Sequence, residues 1–182
     1  MRLASASYKS GEKALSRKEY EKLIAVVDNT EDELLIKLAV TTGLRREDLC
    51  ALKISNINLE DETLTFHESK KSRDRTIYLS PEIILLIKKF AGNGAGKGRE
   101  KLFRFTGRTA YRHLNSWCRV AQIPERPFHS LRATCVKFAQ QAGWKPEEVA
   151  KLTGDSIRVI QEHYSTPTEG DMKEAVTKRS II

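Results

Sequence analysis

The chain has 182 residues, of which 40% are apolar and 31% are charged, a composition typical of one globular domain with a core of its own. Lysine and arginine number 32 against 24 aspartates and glutamates, so the net charge is +8 and the pI is near 9.4. This excess favours an anionic partner, of which nucleic acid is the most common. No apolar run approaches the roughly 20 residues that cross a bilayer, so we expect no membrane partner.

The three cysteines, Cys50, Cys118 and Cys135, are odd in number and show no CxxC spacing. This pattern disfavours both a disulfide framework and a structural zinc site, and no metal is predicted. The N-terminal residues lack the apolar stretch of a secretion signal. We therefore expect an intracellular, reducing location, cytoplasmic or associated with the nucleoid.

Most of the positive charge lies in two segments. Residues 68–75 hold four basic and two acidic side chains, and residues 97–119 hold seven basic side chains and one acidic one. Together they account for the whole net charge, so the rest of the chain is neutral. Such a distribution is expected where a protein contacts a phosphate backbone; a solvated basic surface is the alternative interpretation.

Capping signals predict the first helices. Ser16 and Glu19 form a capping box at the start of an amphipathic stretch. Thr30 and Glu33 repeat that signal before a second helix, which Gly43 is predicted to end. A short third helix is predicted to follow.

A hairpin is predicted next along the chain. Two short strands are expected at about residues 63–66 and 76–79, after a turn at residues 56–61. Because the basic residues 68–75 join these strands, the hairpin has a cationic tip.

The second half of the chain is predicted to be helical. Six helices are expected. The first starts at Ser80-Pro81, the second lies around residues 114–121, the third covers about residues 129–142 and the fourth starts at Pro146. The last two cover about residues 156–162 and 168–177. The predicted fold class is therefore mainly α with a small antiparallel β-sheet or hairpin (α+β). Residues 1–14 are predicted to be an N-terminal tail or linker, and residues 15–182 one domain whose C-terminal tail starts at about residue 168.

Five positions could act together on a phosphodiester. Arg45 lies at a predicted helix start, where free backbone N–H groups favour an anion. His129 and Arg132 lie at i and i+3 on one face of a predicted helix. Lys70 lies at the predicted hairpin tip, and Tyr164 follows near the chain end.

These residue types suit cleavage of a phosphodiester without a metal ion. Two arginines can hold the non-bridging oxygens and concentrate positive charge where negative charge develops. A phenol, with its pKa of roughly 10, ionises more easily beside them and becomes a nucleophile. A lysine can donate a proton to the departing 5′ oxygen. The phosphotyrosine ester that forms stores the bond energy, so no ATP is needed.

This set of residues resembles the catalytic domain of the tyrosine recombinase (phage integrase) family over about residues 15–175. The family motifs occur in order: T-G-x-R-x-x-E/D-L at residues 42–49, K-x-x-K/R-x-R at residues 70–75, H-x-L-R at residues 129–132 and L-x-G-H-S at residues 152–156. Asp155 takes the place of the His in the fourth motif, and Tyr164 follows it at the family's spacing.

The resemblance implies a site-specific recombinase or integrase that cuts a DNA strand, forms a 3′-phosphotyrosyl link and rejoins the strand to a new end, with no cofactor. It gives these roles: phosphate clamp for Arg45 and Arg132, general acid for Lys70, proton transfer for His129, nucleophile for Tyr164, and support of the first arginine for Asp48. Lys71 is a rival for the role of Lys70.

The resemblance also implies partners. Double-stranded DNA is the expected substrate, with backbone contacts predicted for Lys71, Arg73, Arg75, Arg104, Arg108 and Arg112. Self-association as a tetramer is expected on DNA, with a monomer in isolation left open, and the C-terminal tail is expected to pack on a neighbour. Family members also carry an N-terminal core-binding domain, so we expect a catalytic fragment or an unusually short enzyme.

Asp155 departs from the family pattern, which has His or Trp at this position. A neutral His donates a hydrogen bond to phosphate, whereas an ionised Asp repels it, and we favour a helix N-cap role for Asp155. His163 or Lys151 could supply the missing contact. Two other functions stay open: a type IB topoisomerase, which rejoins the original strand, and a recombinase-like DNA-binding module that has lost catalysis.

Overall fold

The computed structural model describes residues 10–92, 94, 98–164, 173, 176 and 177; the side chains of Ser10, His163 and Tyr164 lie outside that description. The helices are α1 (Arg17–Ala25), α2 (Thr30–Thr42), α3 (Arg46–Ala51), α4 (Pro81–Gly92), α5 (Gly107–Val120), α6 (His129–Gln141), α7 (Pro146–Thr153) and α8 (Ile157–Tyr164). The strands are β1 (Ile57–Asn58), β2 (Thr63–Glu68) and β3 (Arg73–Tyr78). The predicted class is confirmed. Among the described residues, no helix combines the length and the apolar character that a bilayer span requires.

The caps of the first two helices explain where they begin. Ser16 and Glu19 form the predicted capping box of α1, with each backbone N–H donating to the other side chain. The cap predicted for α2 at Thr30 is wrong. The side chain of Asn29 accepts from the backbone N–H of Asp32, so Asn29 is the N-cap and the helix starts at Thr30, one residue earlier than predicted. An Asn with extended backbone is an equally good N-cap, and here it precedes the Thr.

The three strands form one antiparallel sheet in the order β1-β2-β3. The predicted turn at residues 56–61 contains the short edge strand β1, and both predicted hairpin strands are longer than expected. Glu68 pairs with Arg73 at the end of the ladder, and Ser69–Lys71 form a 3-10 turn. Since side chains alternate along a strand, the buried face of β2 carries Leu64, Phe66 and, at its end, Glu68.

Part of the predicted N-terminal tail packs on the helical body. Residues 10–13 form a 3-10 turn that contacts α6. The backbone N–H of Leu15 donates to Thr134 Oγ1 at 2.8 Å, and Leu15 is buried. The N-terminal segment therefore supports α6, which carries two of the candidate site residues.

Helix α2 lies at the centre of the molecule. It packs against α4 and α6, and buried residues cover most of its circumference, including Leu34, Leu35, Ile36 and Leu38. A helix with so wide an apolar surface belongs in a core. Because α2 is held on several sides, the turn that follows it has a fixed position.

Gly43 forms that turn. Its φ of 63° is left-handed, and it ends α2 as predicted. A Cβ on Gly43 would lie 3.0 Å from Thr153 Cγ2 and 3.2 Å from Cys135 Sγ. The end of α2 therefore contacts both α6 and the end of α7, which brings three distant segments of the chain together.

Most of the later helices lie close to their predicted positions, but α5 begins at Gly107, well before the region around residues 114–121 where it was expected. Helices α6 and α7 begin at the predicted residues, and α4 begins at Pro81, as predicted, and ends at Gly92. Helix α8 extends to Tyr164, past the predicted end. The predicted helix and tail from residue 168 fall mostly outside the described residues.

Candidate active site

Arg45 enters the site from the turn between α2 and α3. It is the N-cap residue of α3 and has an extended backbone, with φ −68° and ψ 150°. Its Nη1 donates to Glu68 Oε1 at 2.5 Å, and its Nη2 donates to Asp155 Oδ1 at 3.2 Å. Two carboxylates from different segments therefore hold opposite ends of one guanidinium.

Arg132 reaches the same place from the first turn of α6. Its side chain is 3% exposed. Its Nη1 donates to the carbonyl of Gly43, and its Nη2 donates to the carbonyl of Thr153 at 2.9 Å. The same Nη2 lies 2.6 Å from Asp155 Oδ2. Arg132 therefore ties together the turn after α2, the end of α7 and the residue that precedes α8.

Arg45 and Arg132 meet at the carboxylate of Asp155. Each arginine contacts a different oxygen of that carboxylate. Two guanidinium groups around one anionic group are the arrangement that binds a phosphate. In this structure the anion is a side chain of the protein itself.

The interpretation of Asp155 as a helix cap is wrong. Ser156 caps α8 instead, since its Oγ accepts from the backbone N–H of Val159 at 3.2 Å. The nearby arginines give the Asp155 carboxylate stronger, charge-assisted partners than a helix start would. Lys151, one candidate for the missing phosphate contact, is exposed, and its carbonyl accepts from Arg75. The side chain of the other candidate, His163, lies outside the described residues.

Glu68 is a site residue that the sequence analysis missed. Its side chain is fully buried and lies within ion-pair distance of Arg45, Arg73 and Arg75, at 2.5, 3.0 and 3.9 Å. Burial alone raises the pKa of this carboxyl, but hydrogen bonds from Arg45 and Arg73 and the charge of Arg75 hold it below its ordinary value. The strand alternation that buries Leu64 and Phe66 is the one sequence signal that could have found it.

Asp48 has a different partner from the expected one. The expectation that it supports Arg45 is wrong, because the described contacts of Asp48 are with Ser69: Oδ1 accepts from the backbone N–H at 3.1 Å and from the hydroxyl at 2.6 Å. Glu68 takes the role beside Arg45 instead. Asp48, which is 4% exposed, anchors the start of the turn that carries Lys70.

The two lysines of the hairpin turn differ in their surroundings. Lys71 donates from Nζ to the carbonyl of Gly154, so its ammonium is engaged with the end of α7. Lys70 is exposed, and no hydrogen bond or ion pair of its side chain occurs within the described part of the chain. Its charge lies close enough to His129 to lower the pKa of that imidazole. Of the two, Lys70 has the ammonium that no described protein group holds, and its role as general acid stays a prediction.

Arg75 has a structural role in the free protein, and its predicted contact with DNA stays a prediction. Its side chain is 11% exposed, and its guanidinium donates to three carbonyls at the end of α7, those of Lys151, Leu152 and Thr153. These carbonyls have no partner within the helix, and the negative end of the helix dipole favours a cation there. Arg73, on the same strand, donates to Glu68 but is 51% exposed.

His129 lies at the start of α6 beside the two arginines. A pocket of about 350 Å³ opens here, lined among others by Arg45, Arg132, His129 and Tyr111. His129 as a residue keeps part of its surface exposed to solvent. Partial burial of its ring and the positive charge of Arg132 lower the pKa of His129, an effect that Asp155 partly offsets. A lowered pKa favours the neutral imidazole, which can accept a proton.

The second basic segment divides into structural and exposed residues. Arg99 pairs with Glu31 at 3.3 Å, and both side chains are largely buried. Three arginines predicted to contact DNA are exposed, and they are Arg104, Arg108 and Arg112. Two of them lie on α5, whose Tyr111 lines the pocket. Their contacts with DNA stay a prediction.

Tyr164 ends α8, the helix that begins directly after Asp155 and Ser156. Its side chain lies outside the described residues, so its role as nucleophile stays a prediction. The backbone path nevertheless links it to the arginines, because Asp155 precedes the helix and is held by Arg132.

Known proteins resemble this chain over most of its length. Tyrosine recombinase XerA of Pyrococcus furiosus is 30% identical over 183 residues, which cover 93% of this chain and 63% of that protein. Tyrosine recombinase XerA of Saccharolobus solfataricus is 30% identical over 166 residues, covering 91% of this chain and 56% of the relative. The chain therefore spans about three fifths of the length of the curated relatives it matches.

Solved structures share the fold. A crystal structure of XerA recombinase superposes with a TM-score of 0.79 at 22% identity, covering 92% of this chain and 63% of the other. The catalytic domain of bacteriophage HP1 integrase gives a TM-score of 0.66 at 20% identity and covers 92% of this chain and 95% of that domain. The profile of the phage integrase family matches residues 13–169. The chain belongs to the phage integrase family.

Proposed function

We propose that this chain is the catalytic region of a site-specific DNA recombinase that cleaves and rejoins strands through a 3′-phosphotyrosyl intermediate, without a metal ion or ATP. The observation that carries the proposal is the meeting of Arg45 and Arg132 around one anionic group. The names of the relatives, which are tyrosine recombinases, support it. A structural neighbour, XerH recombinase, is described as bound to its difH substrate, which supports DNA as the substrate here.

The arginines bind the scissile phosphate. The phosphate takes the position that Asp155 holds in the free protein, and Nη2 of each arginine then contacts a non-bridging oxygen. Arg132 is nearly buried and Arg45 is about one-fifth exposed, so their charges are screened less than those of surface groups. Positive charge fixed in this way stabilises the transition state, in which the phosphorus is five-coordinate and its oxygens carry more negative charge.

Proton transfer involves three side chains. The Tyr164 oxygen attacks phosphorus, the new P–O bond forms as the bond to the 5′ oxygen breaks, and the phenol proton passes to His129. Lys70 gives a proton to the 5′ oxygen, which leaves as a hydroxyl. The reverse sequence, with the 5′ hydroxyl of another strand as nucleophile, rejoins DNA and regenerates Tyr164.

The DNA backbone lies across the basic hairpin and the exposed face of α5. Lys71, Arg73, Arg104, Arg108 and Arg112 supply contacts that position the duplex rather than read its sequence. Several protomers assemble on DNA as a tetramer, with the C-terminal tail from about residue 168 packed on a neighbour. We take residues 15–182 as the catalytic domain and residues 1–14 as the segment that leads into it.

A covalent adduct with DNA tests the proposal. The substrate is a pool of nicked duplexes of varied sequence, in which the cleaved end is a short fragment that diffuses away and so traps the intermediate. We expect an adduct that survives denaturant with the wild-type chain and none with Tyr164→Phe. If the wild-type chain forms no adduct with any duplex in the pool, the proposed chemistry is wrong.

One observation favours a second candidate, a DNA-binding module without catalysis. Asp155 neutralises charge in the phosphate position, and an ionised carboxylate cannot donate the hydrogen bond that His or Trp supplies in the family. Retarded migration of duplex DNA without adduct formation would favour this module. A type IB topoisomerase would instead relax a supercoiled plasmid without exchanging strands between two sites, and the names of the relatives support exchange over relaxation.

A further inference from the structure

The buried carboxylate of Glu68 has a place in the site that the proposed chemistry leaves unexplained. Its side chain has no exposed surface, and a buried charge persists only where it is paired and hydrogen-bonded. Arg45 and Arg73 each donate to a different oxygen of Glu68, and Arg75 lies 3.9 Å away. One negative charge therefore faces three positive ones, so this cluster of four side chains keeps a net positive charge.

The two terminal nitrogens of the Arg45 guanidinium have different partners. Nη1 is bound to Glu68, and Nη2 is directed to Asp155, at the position that a phosphate would take. Because a guanidinium is planar and rigid, fixing Nη1 also fixes the direction of Nη2. The backbone of Arg45 does not restrict its long side chain in this way.

Contacts that do not involve Arg45 hold Glu68 itself. It lies at the end of β2, where it pairs in register with Arg73. Gly154 packs closely against Glu68. A Cβ on Gly154 would lie 3.1 Å from Glu68 Oε1 and 2.5 Å from Arg75 Nη1. Glu68 is therefore a fixed point, and Arg45 is the group that it orients.

Glu68 and Asp155 differ in how they hold Arg45. The Asp155 carboxylate occupies the phosphate position, so it must leave when DNA binds. The Glu68 carboxylate lies on the opposite side of the guanidinium, away from that position. From this difference we propose that Glu68 is a positioning residue for strand cleavage, which presents Nη2 of Arg45 to the scissile phosphate before and after Asp155 is displaced. This inference rests on the proposed function, since it concerns the same site.

The first test compares Glu68→Gln with Asp74→Asn. Asp74 is an exposed carboxylate on the same hairpin, paired with His67, so both variants lose one negative charge. We expect the single-turnover rate of adduct formation at saturating nicked duplex to fall on the order of 100-fold in Glu68→Gln, because misplacing a catalytic group by about 1 Å has that effect. DNA affinity should stay within about threefold, and Asp74→Asn should match the wild type. A Glu68→Gln rate within about twofold of wild type would overturn the inference.

A double mutant separates positioning from general stability. If Glu68 acts through Arg45, adding Glu68→Gln to Arg45→Lys should slow cleavage little beyond Arg45→Lys alone, whereas independent structural effects would multiply. If Glu68→Gln does not fold, Glu68→Asp is the alternative variant. It keeps the charge, but its shorter side chain places the carboxylate farther from Arg45, so the same fall in rate is expected. Normal cleavage by a folded Glu68→Asp would contradict the proposed role.

A measurement without DNA keeps this inference apart from the proposed function. In ¹⁵N-arginine NMR spectra, Arg45 should show separate, slowly rotating Nη groups in the wild type and averaged ones in Glu68→Gln, with the assignment made from Arg45→Lys. If the wild-type chain forms no DNA adduct but Arg45 is released in this way, the proposed function fails and the role of Glu68 in positioning Arg45 stands. Unchanged Arg45 signals in Glu68→Gln would overturn that role, whatever the chain does to DNA.

Discussion

The guanidinium of Arg132 and the carboxylate of Asp155 form an ion pair of 2.6 Å in which both side chains are mostly hidden from solvent, at 3% and 11% exposure. Arg45 closes the other side of the carboxylate at 3.2 Å. The free protein thus carries its own anion in the position proposed for the scissile phosphate. DNA can bind there only by displacing Asp155, which opposes binding because both the phosphate and the aspartate are negative.

Replacing Asp155 by Asn should therefore strengthen DNA binding. The amide keeps the size of the side chain but removes its charge, so the arginines attract phosphate without competition. We expect the dissociation constant for duplex DNA at low salt to fall about tenfold, since about 1.4 kcal/mol is a modest change for a partly buried charge. Adduct formation should not be slower than in the wild type.

Glu162→Gln is the matched control for Asp155→Asn. Glu162 lies on α8 and pairs with the exposed Arg158 at 2.7 Å, so the change in net charge is the same but its location is not. Its DNA affinity should change less than about twofold, as expected for an exposed pair. Equal gains in affinity for the two variants would show that net charge, and not the position of Asp155 between the two arginines, sets the effect.

The site could be predicted from the sequence where local motifs carry it. Arg45 follows a glycine that ends a helix, and Arg132 lies one turn after His129, so both occur within short patterns. The structure brings these two arginines together through Gly43, whose carbonyl accepts from Arg132. The caps and the alternation of apolar residues likewise predicted most helices and the hairpin.

The carboxylates could not be assigned in the same way. Glu68, Asp48 and Asp155 each have a partner at least 21 positions away, and such pairs depend on tertiary packing that no short pattern records. A carboxylate next to a basic loop is usually solvated, and the strand alternation alone did not outweigh that expectation for Glu68. The structural contacts of Arg75 could not be predicted for the same reason, because the end of α7 that it binds is 76 to 78 residues away.

Alanine variants of Arg75 and Arg73 should separate an effect on stability from an effect on DNA binding. Arg75→Ala removes three donors from the carbonyls at the end of α7 and one partner from Glu68. We expect it to lower the free energy of unfolding by about 2–3 kcal/mol, as for charged hydrogen bonds that are largely buried. Arg73→Ala, at an exposed position, should change it by less than about 1 kcal/mol.

Urea unfolding and the salt dependence of DNA affinity measure the two effects. Arg73→Ala should reduce the slope of log K against log salt by about one phosphate contact, that is by about 0.9. Folded Arg75→Ala should keep the wild-type slope. A reduced slope in Arg75→Ala with unchanged stability would show that Arg75 contacts DNA and does not stabilise the end of α7.

The titration of His129 should follow its surroundings. Partial burial and the charge of Arg132 favour the neutral ring, so NMR should place the pKa of His129 in the free protein below the ordinary value of 6.5. Because a depressed pKa keeps the ring neutral to lower pH, cleavage at low DNA concentration should lose activity only as the pH falls below that value. His129→Gln should remove this acid limb, and an acid limb that persists in His129→Gln would assign it to another group.

Gly154 should tolerate a side chain less well than Gly143, although both have left-handed backbones with φ of 77° and 87°. An Ala at either position adopts a conformation that costs about 1–2 kcal/mol for an L-residue. At Gly143 nothing lies within 4 Å of the added Cβ, whereas at Gly154 it would lie 2.5 Å from Arg75 Nη1 and displace the guanidinium from Glu68. We expect urea unfolding to show Gly154→Ala less stable than Gly143→Ala by a further 1–3 kcal/mol, roughly the effect of overpacking a filled site.

Cleavage should also slow in folded Gly154→Ala, because Glu68 then loses one of the contacts that fix it beside Arg45. If the two variants are equally stable and cleave equally fast, Gly154 does not hold the arginine cluster in place.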